Sequence, residues 1–86
     1  MQVLIPSSLR SYTNEQRLVE AQGGTLADLL ADLERRYPGI RFRMINEQER
    51  MRPHIRFFIN REQAFDLARP LQPTDEVFIV QALSGG

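Results

Sequence analysis

The sequence contains no cysteine, no lysine and no tryptophan. The absence of cysteine excludes a disulfide framework, a thiolate nucleophile and a cysteine-bound metal, and nothing in the chain argues for secretion. Its apolar runs are too short for a membrane-spanning helix, and its first residues lack the charged and apolar segments of a signal peptide. We therefore expect a cytoplasmic protein with no membrane partner, no resident metal and no bound cofactor.

All eleven basic residues are arginine, and eleven acidic residues balance them. A net charge of zero gives no long-range attraction to nucleic acid, so we expect no nucleic-acid partner. The charge is nevertheless uneven, because residues 41 to 61 carry an excess of four positive charges. Six arginines form this arginine belt: Arg41, Arg43, Arg50, Arg52, Arg56 and Arg61. The belt is predicted to face a partner, and a nucleic-acid role for it is the weaker reading.

The length of 86 residues allows one domain with a single core. Patterning predicts five strands and one main helix. The strands are expected at residues 3–5, 17–21, 54–59, 63–65 and 76–81, with a loop at 7–15, an excursion with one short helical turn at 40–53, and a loop at 67–75. Because two strands precede the helix and the others follow it, the fold class is α+β. We expect a β-grasp, in which a mixed sheet of four to five strands carries one main helix across one face.

The helix is the most clearly patterned element. Thr25 and Asp28 have the spacing of a capping box, in which each side chain bonds a backbone N–H of the other. A single apolar stripe follows on a 3.6-residue period: Leu26, Leu29, Leu30, Leu33 and Tyr37. Pro38-Gly39 ends the helix.

The chain ends in two glycines, Gly85 and Gly86, which has a chance probability of about one in 200 at average glycine usage. We divide the chain into a β-grasp domain at residues 1–81 and a flexible Gly-Gly tail at residues 82–86. The five tail residues reach about 17 Å when extended. Glycine has no Cβ, so this tail can enter a channel too narrow for side chains. The candidate site is therefore the carboxylate of Gly86.

At this point the chain resembles a known family, the ubiquitin-like sulfur carriers of bacteria, over nearly its whole length. The resemblance rests on Val3-Leu4-Ile5, Gly24-Thr25-Leu26, Arg36-Tyr37-Pro38-Gly39, Phe58-Ile59-Asn60 with Glu62, Leu71, Asp75-Glu76-Val77 and Gly85-Gly86. It implies that an ATP-dependent adenylyltransferase of the ubiquitin-activating type adenylates Gly86. A sulfur donor then replaces AMP and leaves a thiocarboxylate. The tail residues Leu83, Ser84 and Gly85 would enter the partner's site, and ATP would be used by the partner.

The resemblance also implies a second partner, a biosynthetic enzyme that accepts the sulfur. A sulfurtransferase and a metalloprotease that trims the tail belong to some relatives and stay open here. The pathway is open too: the chain looks most like carriers for cysteine or thio-metabolite (siderophore-type) synthesis, and less like carriers for thiamine or molybdopterin. The absence of lysine and cysteine suits an activated terminus, because it removes the side chains that attack acyl groups. An arginine-rich codon bias explains the same absence.

Strand alternation predicts a docking surface beside the tail. If Ile55, Phe57 and Ile59 point inward, Phe58 points outward. If Val77 and Ile79 point inward, Phe78 and Val80 point outward. The predicted partner-docking surface comprises Phe58, Phe78 and Val80, together with Leu83, and has Arg56 and Arg61 as rim charges. The alternative is that either phenylalanine covers core under a loop.

Catalysis by the chain itself is not expected. His54 is the only histidine and has no clustered carboxylates, so a structural role is preferred. Asp75 and Glu76 are neighbours whose side chains would point to opposite faces of a strand, so they cannot share a proton. Two alternatives to the carrier stay open: a modifier conjugated to lysines through Gly86, as ubiquitin is, and a passive β-grasp binding module.

Overall fold

The computed structural model describes residues 1–82. Their regular elements are β1 Gln2–Leu4, β2 Leu18–Glu20, α1 Leu26–Arg36, β3 Ile55–Ile59, β4 Glu62–Ala64 and β5 Val77–Gln81. The strands form one sheet in the order β2-β1-β5-β3-β4. β1 and β5 run parallel, and the other neighbours run antiparallel. The predicted α+β class and the mixed β-grasp sheet are confirmed.

The core lies between one face of this sheet and α1. All four leucines of the predicted helical stripe are fully buried, and Tyr37 packs at the margin of the same cluster. In β3 and β5 the buried residues alternate with half-exposed or exposed ones, and Ile55, Phe57, Ile59, Val77 and Ile79 all face the helix. The predicted inward and outward faces of these two strands are therefore correct.

The start of α1 is held partly by its own cap and partly by a distant loop. Thr25 Oγ1 accepts a hydrogen bond from the backbone N–H of Asp28 at 3.2 Å. The reciprocal hydrogen bond, from the Thr25 N–H to the Asp28 carboxylate, is absent among the hydrogen bonds of residues 1–82. Only half of the predicted capping box is therefore formed. The N–H groups of Leu26 and Ala27 donate instead to carbonyls of residues 69 and 67, at 2.9 and 2.8 Å. This explains how loop 67–75 is fixed against the helix.

The predicted loop at residues 7–15 is wrong in one respect, because Ser7–Thr13 forms a 3₁₀-helix. Its polar composition suggested a loop, but Leu9 and Thr13 point into the core. Thr13 Oγ1 donates to the carbonyl oxygen of Gln16 at 2.7 Å, and Asn14 ends the helix with φ at 55°. The short helical turn expected within 40–53 is confirmed at Arg41–Arg43.

The turn between β3 and β4 depends on Asn60, whose φ of 56° lies in the left-handed region that asparagine tolerates. Its side-chain amide donates to the Asp75 carboxylate at 3.0 Å, and its side-chain oxygen accepts the N–H of Glu76 at 3.1 Å. A backbone hydrogen bond from Gln72 at 2.8 Å, followed by the bond from Asn60, lowers the pKa of Asp75. Asp75 therefore has a structural role, and Asn60 joins the turn between β3 and β4 to the residues just before β5.

Asp32 joins α1 to the chain that follows β2. Its carboxylate accepts the backbone N–H of Gln22 at 2.9 Å and Nε of Arg36 at 2.9 Å, and it also pairs with Arg35. These contacts, with the Gln22 hydrogen bond the largest, lower the pKa of Asp32 from 3.8 to about 2. Because the folded-state pKa is depressed, the stabilisation is complete above the unfolded pKa and is lost as the pH falls from about 4 to about 2.

We therefore expect Asp32→Asn to lower the free energy of unfolding at pH 7 by about 1 kcal/mol, the scale of a charge-assisted hydrogen bond near the surface. The difference from the parent protein should shrink below pH 4 and be small near pH 2, because about half of the parent carboxyl is then protonated in the folded state. Urea unfolding at several pH values measures both quantities. Glu47→Gln, which neutralises an exposed acid, should change stability by less than about 0.5 kcal/mol. A D32N deficit that is equal at pH 7 and pH 2 would contradict the explanation.

Candidate functional site

The outer face of the sheet, opposite α1, carries the predicted docking residues. Phe78 lies between the buried Val77 and Ile79 of β5, Val80 follows Ile79, and Phe58 lies between the buried residues of β3. Phe58 and Phe78 are half-buried, while Val80 is 40% exposed. Phe58 and Phe78 stand directly opposite each other across the two strands. Since directly paired residues share a face, the three side chains belong to one surface, as predicted.

The strand register extends this surface across four strands. Leu4 of β1 pairs with Phe78 on one side and with Leu18 of β2 on the other. Leu18, Leu4, Phe78 and Phe58 therefore form a continuous apolar row across β2, β1, β5 and β3. Leu18 is 46% exposed, and the other three are half-buried. An exposed apolar strip is the kind of surface on which a partner docks, so the row extends the predicted docking surface.

The sequence interpretation missed Leu4 and Leu18. The alternation of β1 offered a clue for Leu4, because it lies between the inward Val3 and Ile5. Joining it to Phe78 required the parallel register of β1 and β5, two strands that lie more than seventy residues apart in the chain. Neither leucine is distinctive by type, so only the assembled sheet shows that they extend the docking surface.

The predicted rim arginines are separated in the structure. Arg56 pairs with Val80 across β3 and β5 and so borders the apolar row at the end where the tail begins. Arg61 lies in the turn between β3 and β4, at the opposite end of β3. Three residues of β3 and Asn60 of the turn lie between the two arginines. The structure thus brings Phe58, Phe78, Val80 and Arg56 together, and places Arg61 apart.

The tail begins on β5, a central strand of the sheet. Gln81 pairs with Ile55, and the N–H of Ala82 donates to the carbonyl oxygen of His54 at 2.7 Å. Ser8 Oγ hydrogen-bonds the Gln81 side-chain oxygen. Ala82, assigned to the tail from sequence, therefore still continues the pairing with β3. His54 serves here through its backbone.

A groove of about 430 Å³ lies beside this point, and we call it the tail-root groove. Leu4, Pro6 and Val80 supply its apolar wall, and Arg10 supplies its charge. Nε of Arg10 donates to the carbonyl oxygen of Ile5 at 3.1 Å, which holds the guanidinium beside the strand. The groove joins the apolar row to Ala82, so a partner resting on the row also reaches the root of the tail.

The predicted tail positions lie outside the described residues: Leu83, Ser84, Gly85 and Gly86. Four residues beyond Ala82 can span about 14 Å when extended. The assignment of the reactive carboxylate to Gly86 stays a prediction from sequence, as does the division into residues 1–81 and 82–86.

Much of the arginine belt is engaged within the fold. Arg41 forms an ion pair with Glu49 at 2.8 Å, and the hydrogen bonds from Arg41 lower the pKa of Glu49. Nε of Arg52 donates to the carbonyl oxygen of Phe42 at 2.7 Å, and its guanidinium lies 4.6 Å from the centre of the Phe42 ring. These contacts fold residues 40–53 into a compact excursion, which explains part of the belt structurally.

Within residues 1–82, no three histidine, cysteine, aspartate or glutamate side chains gather as metal ligands would. No described helix is long and apolar enough to cross a membrane. What this part of the chain presents is an apolar row, a groove at the root of the tail, and a central strand that leads into the tail.

Comparison with known proteins gives consistent results. The ThiS family model matches residues 3–86. The sulfur carrier protein CysO of Mycobacterium tuberculosis is 34% identical over 89 residues, covering 98% of this chain and 96% of that protein. A chain of the crystal structure of the Amycolatopsis orientalis BexX/CysO complex superposes with a TM-score of 0.90 at 32% identity, covering 99% of this chain and 98% of that chain.

A more distant likeness concerns the fold alone. SAMP1 from Haloferax volcanii matches with a TM-score of 0.80 at 24% identity, covering 99% of this chain and 97% of that chain. The family match spans nearly the whole sequence and agrees with the motifs on which the resemblance rested. The chain belongs to the ThiS family, the ubiquitin-like sulfur-carrier family that its sequence predicts.

Proposed function

We propose that this protein is a sulfur carrier whose Gly86 carboxylate is adenylated and then converted to a thiocarboxylate. The observation that carries the proposal is the continuous apolar row, which crosses β5, the strand that leads into the tail. A carrier needs one surface for the activating enzyme and one chain terminus for the chemistry, and β5 both carries the central residue of the row and leads into the tail. The chain itself acts as a co-substrate rather than as an enzyme.

The chemistry requires activation because a terminal carboxylate, with a pKa of about 3.5, is ionised at neutral pH and is a poor electrophile. A carboxylate oxygen attacks the α-phosphorus of ATP and releases pyrophosphate, which leaves an acyl adenylate. A sulfur nucleophile then attacks the carbonyl carbon, and AMP leaves. The product holds sulfur in place of one carboxylate oxygen. ATP binds to the activating enzyme in this scheme.

The central position of β5 suits a tail that must be threaded into another protein. The root of the tail is flanked by β1 on one side and β3 on the other. Bonds from Ala82 to His54 and from Ser8 to Gln81 hold it. A fixed root reduces the conformational entropy that is lost when the remaining residues enter an active site.

The acceptor of the sulfur is proposed from the relatives. The M. tuberculosis relative is named a sulfur carrier protein CysO, and the A. orientalis structure is a complex of BexX with CysO. We propose that this carrier likewise assembles with a biosynthetic enzyme that takes the sulfur for cysteine or for a sulfur-containing metabolite. The tail-root groove, with Arg10 and Arg56 near it, provides a surface on which both the activating and the accepting enzyme can rest.

Intact-protein mass spectrometry tests the proposal. After incubation with ATP, sulfide and an activating enzyme of the ubiquitin-activating type from the same organism, the chain should gain about 16 Da, because sulfur replaces one oxygen of a carboxylate. A variant that lacks Gly85 and Gly86 should gain nothing. Covalent attachment through Gly86 to lysines of other proteins would instead support a modifier. No change of mass with any activating enzyme of the organism would overturn the carrier function.

A further inference from the structure

β4 is an edge strand whose outer backbone groups are free. The N–H of Asn60 donates to the carbonyl of Glu76, and the N–H of Ala82 donates to the carbonyl of His54. Asn60 and His54 flank β3, so the even-numbered residues along this stretch direct their N–H and C=O groups toward β5. In an antiparallel ladder these directions alternate, so the N–H and C=O groups of Phe57 and Ile59 are directed toward β4. Their partners, Ala64 and Glu62, return those bonds. Gln63, which lies between them, therefore directs its N–H and C=O away from the sheet.

Phe65 directly follows β4, and the same alternation, extended by one residue, directs its N–H and C=O groups away from the sheet. No backbone hydrogen bond outside the β3–β4 pair joins Gln63 or Phe65 to another part of residues 1–82. Phe65 is also 78% exposed, the highest value among the large apolar side chains of this part of the chain. Outward N–H and C=O groups at alternate residues are the arrangement to which an added strand pairs.

A groove of about 750 Å³ borders this edge. Gln63 and Phe65 lie on one side of it, and three residues of the arginine belt lie on the other: Arg50, Arg52 and Arg56. The groove is distinct from the tail-root groove, which lies on the other side of β5 between β1 and the 3₁₀-helix Ser7–Thr13. It nevertheless borders the start of β3, opposite the last residues of β5.

The charge of this groove is positive once internal contacts are counted. Its two acids are Glu49 and Asp66. Glu49 is paired with Arg41, and Asp66 accepts the N–H of Ala68 at 2.8 Å. Within the described residues, the guanidinium of Arg50 has no hydrogen-bond or ion-pair partner. Arg52 and Arg56 donate to the backbone carbonyls of Phe42 and Pro53, which leaves their charges unneutralised. Three positive charges thus face one acid without an ion-pair partner, a balance that favours an acidic partner.

We propose that the β4 edge binds an extended segment of a partner protein that carries acidic side chains, which adds to the sheet as a sixth strand. Gln63 and Phe65 provide the main-chain hydrogen bonds, Phe65 provides an apolar contact, and Arg50 and Arg52 attract the acids. Free main-chain donors and acceptors match a polypeptide, whereas a nucleic acid presents no repeating donor for the carbonyl of Gln63. The site is independent of sulfur chemistry and would exist whether or not Gly86 is activated.

The test uses the full chain labelled with ¹⁵N and an acetylated, amidated hexapeptide in which glutamate and valine alternate. At millimolar peptide, hydrogen exchange of the Gln63 and Phe65 amides should slow at least about fivefold, because both N–H groups enter the new ladder. The same peptide with lysine in place of glutamate should have no effect. Arg50→Gln should weaken binding of the acidic peptide about three- to tenfold.

The matched variants are Gln63→Pro and Gln63→Ala. Proline removes an N–H that faces away from β3, so the variant should keep the β3–β4 ladder and lose peptide binding. Alanine keeps the N–H, so binding should persist within about twofold. If Gln63→Pro unfolds the hairpin, the lysine peptide and Arg50→Gln still decide the question.

Three results would overturn the proposal, and the first is that the acidic peptide does not protect the Gln63 and Phe65 amides. The second is protection of these amides by inorganic phosphate alone, which indicates a simple anion site. The third is protection that rises with protein concentration without peptide, which indicates that a second copy occupies the edge. None of them bears on the thiocarboxylate test, which can succeed or fail separately.

Discussion

Phe78→Glu is expected to abolish most of the activation of Gly86 while the β-grasp fold is retained. Phe78 lies at the centre of the apolar row, between Leu4 and Phe58, on the strand that leads into the tail. A carboxylate at this point must be desolvated when an apolar partner surface covers the row. We expect kcat/KM for adenylation to fall about 30-fold or more, since centrally placed aromatic anchors contribute at least about 2 kcal/mol to binding.

Phe42→Glu is the matched control for this experiment. Phe42 is 57% exposed and lies in the short 3₁₀-helix Arg41–Arg43, away from the outer face. The same change of charge and loss of aromatic area there should alter kcat/KM by less than about threefold. Phe78→Leu, which keeps an apolar side chain in the row, should retain most activity.

Steady-state pyrophosphate release measures the adenylation rate, and circular dichroism with thermal unfolding measures the fold of each variant. Because Phe78 is half-buried, we expect Phe78→Glu to lose about 1 to 2 kcal/mol of stability and to remain folded at 25 °C. Equal losses of activity in Phe78→Glu and Phe42→Glu would reject the outer face as the docking surface.

Sequence patterns predicted which face of each strand is buried, but not which residues pair across neighbouring strands. Alternation within β3 and β5 is local, since it follows from the period of two, and it correctly separated Phe57 from Phe58 and Val77 from Phe78. The pairing of Leu4 with Phe78 is set by the packing of the whole sheet onto α1. Local patterns carry no information about such pairs, so half of the apolar row was not predicted.

Polar segments were the other source of error. Residues 7–13 lack a sustained period because a 3₁₀-helix of two turns buries only two side chains, Leu9 and Thr13. In the arginine belt, composition indicated a single charged surface. The fold instead pairs Arg41 with Glu49 and sets Arg56 and Arg61 at opposite ends of β3. A count of charges along the chain does not show which of them meet an opposite charge.

Gly23 and Gly24 lie between β2 and α1, and the structure gives them different roles. A Cβ placed on Gly23 would lie 2.4 Å from the backbone nitrogen of Leu29 and 2.8 Å from the carbonyl carbon of Asp28. A Cβ on Gly24 would lie 3.9 Å from the Asp28 carboxylate, an ordinary contact. The backbone before the helix therefore packs directly against the second turn of α1 at Gly23 alone.

Gly23→Ala is accordingly expected to lower the free energy of unfolding by about 3 kcal/mol, the upper part of the range for overpacking, because the atoms it meets are helix backbone and cannot rotate away. Gly24→Ala should stay within about 0.5 kcal/mol of the parent and serves as the control. Urea unfolding followed by circular dichroism measures both. If the two variants are equally stable, the close approach of residue 23 to α1 is not a real constraint on the fold. If Gly23→Ala alone is destabilised, the single methyl group locates the close contact between the backbone before α1 and the helix itself.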